Sequence, residues 1–163
     1  MRAGATQWPL VTNGKLSTVK SIKSPAILAC AGTALGLMAP ATAHADGFDF
    51  FQTPSGNIDC AMGLLDGSAL VECEISDHAW AAPARPTPCM GAFGDRISMR
   101  QGSAAKMTCH SDTVRGTGYP VLQYGQSRSL NSVTCESQQS GISCTDNGSG
   151  HYFELSRDTY ELH

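Results

Sequence analysis

The chain has 163 residues and carries 14 Asp and Glu against 11 Lys and Arg. Four of the basic residues (Arg2, Lys15, Lys20 and Lys23) precede Ala26, whereas every acid lies at or beyond Asp46, so the part after Ala45 has a net charge of about −7. Phosphate neutralisation needs clustered Lys and Arg; a segment whose only lysine is Lys106 excludes nucleic acid as its partner.

The first 45 residues differ in kind from the rest. After the basic leader, Ala26 to Ala41 is apolar apart from Thr33 and two glycines, and Ala43-His44-Ala45 precedes Asp46. This pattern predicts an export signal over residues 1–45 with an A-x-A cleavage site. The apolar run is short for a membrane span, which needs about 20 residues, and no second such run follows. The expectation is therefore a secreted or cell-envelope protein with no membrane span in its mature part, residues 46–163. Ile27-Leu28-Ala29-Cys30 loosely matches a lipoprotein processing box, but the apolar stretch continues past Cys30. Cys30 reads instead as a small hydrophobe inside the signal.

Phe48-Asp49-Phe50-Phe51 opens the mature part with an aromatic cluster expected to seal one end of the core, and Thr53 to Asn57 is a turn. Asn57 to Ile75 then folds on paper into one β-hairpin about Asp66-Gly67, the preferred two-residue type I′ loop. That register sets Ile58 opposite Ile75, Cys60 opposite Cys73, Met62 opposite Val71 and Leu64 opposite Ala69. From Ser76 to Gly94 the apolar alternation stops, and Pro83, Pro86 and Pro88 force a long irregular connection. Arg96 to Arg100 and Ala104 to His110 read as a second hairpin, followed by a Gly-rich loop over Thr113 to Tyr119 and a short strand over Val121 to Tyr124. Leu130 to Glu136, Gly141 to Thr145 and His151 to Ser156 read as a three-stranded meander. A single helical turn is expected after Ser156, capped by its hydroxyl. No stretch has sustained helical periodicity. The predicted fold is all-β: a small antiparallel sandwich or partly open barrel of seven or eight short strands.

Six cysteines follow the leader, and an even number in an exported chain argues for disulfides. Cys60 and Cys73 fall on a non-hydrogen-bonded pair of the first hairpin, where the chains approach most closely. Cys135 and Cys144 flank a turn, and Cys89 and Cys109 pair by elimination. The spacings contain no C-x-x-C knuckle of the kind that holds zinc.

Outward on the first hairpin, Asp59 faces Glu74 and Glu72 lies diagonally, so three carboxylates share what reads as a solvent face. Like charges opposed across strands repel, and bulk water, an arginine or a cation such as Ca²⁺ must offset them. Water or an arginine is the expectation, with no metal or other cofactor. Asp146 to Gly150 lacks the spaced acids and closing Glu of a calcium loop, and Asn147-Gly148-Ser149, a formal glycosylation sequon, reads as a turn. His110-Ser111-Asp112 supplies the residue types of a hydrolytic triad, but neighbours in extended chain point to opposite faces. His78, His151 and His163 read as surface or turn residues. The expectation is a monomeric, non-enzymatic binding module with no catalytic residue. Its partner is a protein or envelope component, and its contact surface is the Pro-rich segment bearing Trp80, Arg85 and Phe93. The alternative is a cell-wall-associated hydrolase, whose candidates are His110, Asp112 and His151.

Phe51-x-Thr-Pro-Ser-Gly-Asn-Ile-x-Cys60, Ser111-Asp112-Thr113, Tyr124-Gly125 and Gly150-His151-x-Phe153-x-Leu-Ser-Arg157-x-x-Tyr160 together resemble an uncharacterised family of small exported proteins of mycobacteria and related actinobacteria. The resemblance spans nearly all of the mature part and includes the six-cysteine layout. Tyr152 stands where that family commonly has Gly. The resemblance implies an exported, cell-envelope or extracellular setting and carries no activity with it.

Overall fold

The computed structural model describes residues 47–163. The predicted export signal, its cleavage site and Cys30 lie outside the described residues. Within them the chain forms ten strands: β1 (Asp49–Gln52), β2 (Ile58–Leu65), β3 (Ser68–Ile75), β4 (Arg96–Arg100), β5 (Lys106–Met107), β6 (Ser127–Leu130), β7 (Val133–Ser137), β8 (Gly141–Asp146), β9 (Tyr152–Ser156) and β10 (Tyr160–Leu162). They build two antiparallel sheets of five strands, ordered β1-β2-β3-β4-β5 and β10-β9-β8-β7-β6. Each sheet is a meander in which strands neighbouring in sequence pair in space, and neither closes into a barrel.

The first hairpin has the register its turn dictates. Asp66 (φ 51°) and Gly67 (φ 75°) both occupy the left-handed region that a type I′ turn requires. Ile58 pairs with Ile75, Cys60 with Cys73, Met62 with Val71 and Leu64 with Ala69. Cys60 and Cys73 are bonded with Cα atoms 4.1 Å apart, and Cys135 and Cys144 with Cα atoms 4.0 Å apart. Both separations suit the close, non-hydrogen-bonded pair of an antiparallel ladder. Each bridge joins the second and third strands of its sheet, so the two meanders are stapled at equivalent places.

The core lies between the sheets, with β3 against β7 and β9 and β4 against β9. Met62, Val71, Ile97 and Met99 from the first sheet meet Val133, Ile142, Phe153 and Leu155 from the second, and the four bridged cysteines lie among them fully buried. Each disulfide stabilises by about 2 to 4 kcal/mol through its constraint on the unfolded chain. Here two of them also fill core volume.

Several elements depart from the sequence expectation. Phe48 to Phe51 is not an end plug: Asp49–Gln52 forms β1 on the edge of the first sheet, burying Phe51 and leaving Phe48 exposed. The expected strand Leu130 to Glu136 is broken at Asn131 (φ 52°), whose left-handed backbone turns β6 into β7. Val121 to Tyr124 makes only an isolated bridge between Val121 and Gln52, not a strand. After Ser156 there is a turn rather than helix. The Ser156 hydroxyl accepts from the Thr159 N–H, and the chain returns as β10 against β9.

Candidate functional site

The face of the first sheet that carries Asp59 and Glu74 is not open to solvent, contrary to the sequence expectation. Asp59, Glu74, Arg96 and Ser98 are all buried on it, because the long connection from Thr108 to Gln126 crosses back over these strands. Backbone bonds from Gln52 to Pro120 and from Leu122 to Gln52 lash that return segment to β1.

Two arginines answer the buried carboxylates. Arg96 Nη2 lies 2.9 Å from Glu74 Oε2, and Arg115 Nε lies 3.1 Å from Glu74 Oε1. The Thr113 hydroxyl and the Val114 N–H also donate to Glu74, at 3.0 and 3.1 Å. Arg96 reaches on to the Asp112 carboxylate at 2.9 Å, and Arg115 to Asp95 at 2.8 Å. Burial pulls the Arg96 guanidinium down, but its bonds to Glu74 and Asp112 outweigh that and keep it firmly charged. Asp59, lacking such partners, is pushed upward by burial, only partly offset by the Arg115 charge.

His110 closes this network from the loop side. Nε2 is 2.9 Å from Asp95 Oδ1 and Nδ1 is 2.7 Å from the Asp112 carbonyl oxygen. A carboxylate and a carbonyl both accept, so the ring serves both only with both nitrogens protonated. Burial raises the Asp95 carboxyl, but the His110 hydrogen bond and the charges of His110 and Arg115 win and hold it below its usual range. Glu74, Asp95 and His110 bring ligand atoms within 4.8 Å of one another. That would suit a cation; Arg96 and Arg115 already supply positive charge at Glu74, and an arginine is one of the partners the sequence reading expected for these carboxylates.

The groove beside this network, of about 630 Å³, is walled by Glu72, Arg96, Arg100, Lys106, Cys109 and Asp112, among others. His110 and Asp112 both line it, but Asp112 turns one carboxylate oxygen to Arg96 and meets His110 through its backbone oxygen. His151 is not brought to them: it follows the β8–β9 turn in the second sheet, its carbonyl accepting from the Asp146 N–H.

The Pro-rich connection from Ser76 to Asp95 is held at both ends. At one end the Trp80 Nε1–H donates to the Ser156 carbonyl at 3.0 Å. The ring stacks on His78 with centroids 3.7 Å apart and meets Tyr160 at 4.6 Å. At the other end Cys89 is bonded to Cys109, and Ala92 and His110 exchange backbone hydrogen bonds. Between these ends every residue from Ala81 to Pro88 is exposed. Of the three residues expected as a contact surface, Arg85 is exposed, whereas Trp80 and Phe93 are half-buried. Trp80 packs against the core as the anchor of the segment. Sequence reasoning missed Met90, which is 99% exposed; a methionine between a bridged cysteine and a glycine in a Pro-rich run was the available signal.

Fold and bridges define a disulfide-stapled β domain of two five-stranded meanders with a displayed Pro-rich segment. The chain belongs to the DUF6636 family, a family of unknown function, whose match covers residues 31–163. No curated protein and no solved structure matches the chain.

Proposed function

We propose that this protein is a secreted, monomeric, non-enzymatic interaction module of the cell envelope or its exterior, and that the segment from Ala81 to Met90 is its contact surface. The observation that carries the reading is the conjunction of exposure and tethering. Eight consecutive residues with three prolines, Ala81 to Pro88, stand in solvent, and Met90 almost wholly so, while the segment is fixed by Trp80 and by Cys89–Cys109. A loop fixed in this way loses little entropy on binding, and a large solvent-facing apolar side chain on it is a recognition feature. Three disulfides are compatible with an oxidising, extracellular setting, as is the resemblance to exported actinobacterial proteins. What supports the non-enzymatic reading over a cell-wall-associated hydrolase is the separation of His151 from His110 and the commitment of Asp112 to Arg96.

The test is capture from cell-envelope extracts by the oxidised protein, comparing wild type with Met90→Asp and with Glu154→Gln as a control on the exposed face of β9. The expected result is an envelope component retained by wild type and the control and lost by Met90→Asp. Equal capture by all three would overturn the assignment of this surface.

A further inference from the structure

The three disulfides are not equivalent. Cys60, Cys73, Cys135 and Cys144 are each 0% exposed, whereas Cys109 is exposed, Cys89 is half-buried, and Cys109 lines the groove. Thiol–disulfide exchange requires an incoming thiolate to reach one sulfur and the other sulfur to leave as thiolate. The core bridges offer neither access nor solvation for such a leaving group.

The surroundings of Cys89 and Cys109 also differ from each other. Arg85 Nη1 lies 3.8 Å from Cys89 Sγ and also donates to the Cys89 and Gly91 carbonyl oxygens. A guanidinium held there stabilises a thiolate on Cys89 and makes it the better leaving group. On the other side, the groove reaching Cys109 carries Lys106 and Arg100, with Ser103 and Ser111 beside them. Glu72 and Asp112 also line it and share Arg96 with Glu74, and Arg100 lies 3.5 Å from Asp66, so Lys106 is the groove cation that has no carboxylate partner among the described residues.

We propose that Cys89–Cys109 is a thiol-exchange site that takes a small, negatively charged thiol. The thiolate attacks Cys109 Sγ from the groove, a new S–S bond forms between thiol and Cys109, the Cys109–Cys89 bond breaks, and its electron pair leaves on Cys89 as a thiolate beside Arg85. One disulfide is exchanged for another and no oxidant is consumed. Exchange unfastens the Cys89 end of the exposed segment while both sheets keep their staples. This site goes beyond the binding reading and stands without it, because the adduct forms on the protein alone.

The experiment treats the oxidised full chain under native conditions with 2-mercaptoethanesulfonate, or with neutral 2-mercaptoethanol, each normalised to its rate on a small unhindered disulfide. Iodoacetamide quenches the reaction and peptide mass mapping locates the products. The expected early product carries the mercaptan on Cys109 and the alkyl group on Cys89, with Cys60–Cys73 and Cys135–Cys144 intact and the anionic thiol favoured. Arg85→Gln should slow exchange roughly threefold, and Arg85→Lys should restore it. The mercaptan on Cys89, equal opening of a core bridge, no preference for the anionic thiol, or an unchanged rate in Arg85→Gln would each overturn the proposal. The readout is independent of any partner, so a failed capture experiment and a failed exchange experiment are distinguishable.

Discussion

Asp146, at the end of β8 in the second sheet, accepts a 2.7 Å hydrogen bond from the backbone N–H of Gly102, in the β4–β5 turn of the first. The same carboxylate takes the hydroxyls of Ser132 and Ser149 and the N–H of Gly148. It therefore ties three turns together across the two sheets while lying 1% exposed. Gly102 has φ 79°, a conformation that lets its N–H face the carboxylate without Cβ strain.

Asp146→Asn replaces an all-acceptor group by one with a single acceptor oxygen, and should cost about 2 to 3 kcal/mol by urea denaturation of the oxidised protein. The Ser132 hydrogen bond first, then that of Ser149, hold this carboxyl far below the usual carboxylate range. A depressed folded-state value stabilises the fold above the unfolded carboxyl value, about pH 4. That contribution fades as pH falls toward the folded value. The wild type should lose more stability than Asp146→Asn between pH 5 and 2, and parallel profiles would refute the assignment.

Arg96 is the residue on which the buried charges of the first sheet converge. Arg96→Met leaves Glu74 facing Arg115 alone and should destabilise by about 3 to 5 kcal/mol. Adding Glu74→Leu removes the stranded charge, so the double variant should be clearly more stable than the sum of the single effects implies. Strict additivity in denaturant midpoints would mean that the pair is not coupled.

Met90 supplies a chemical check on the display of the Pro-rich segment. Met62 and Met99 are 3% and 1% exposed, against 99% for Met90. Mild peroxide should convert Met90 to the sulfoxide well before either core methionine, as read by peptide mass mapping. Comparable rates at Met90 and Met99 would contradict the arrangement.

Of the two tryptophans, Trp8 lies in the leader and Trp80 is the only one in residues 46–163, so in protein prepared without residues 1–45 the fluorescence reports the anchor directly. Partial quenching by acrylamide is expected from its half-buried ring. Trp80→Phe keeps apolar contact but loses the bond to the Ser156 carbonyl, at a cost of about 1 kcal/mol with the bridges retained. Quenching as complete as that of free tryptophan would show that the anchor is not seated.

The first hairpin was legible in the chain because its information is local. Asp66-Gly67 selects the turn, the turn selects the register, and the side-chain period of two then places Cys60 beside Cys73. The same reasoning reached Cys135–Cys144, and counting assigned Cys89–Cys109. Strand residues near special backbone positions were harder to read, since the left-handed turn at Asn131 falls inside the stretch read as one strand, Leu130 to Glu136.

What the chain could not disclose by itself was which second face would be covered. Alternation along β2 and β3 marks Asp59 and Glu74 as outward, and for an isolated hairpin outward means solvent. The return segment that buries them lies some forty residues downstream, so Thr113 and Arg115 meet Glu74 only through tertiary contact, while Arg96 meets it across the β3–β4 ladder. Exposure followed the same division. Composition marks the Pro-rich stretch as loop, but only packing separates seated Trp80 from open Met90, and the two buried bridges from the one at the groove. Local turn chemistry acts between near neighbours and is written in residue order; burial is a property of surfaces brought together by the whole fold.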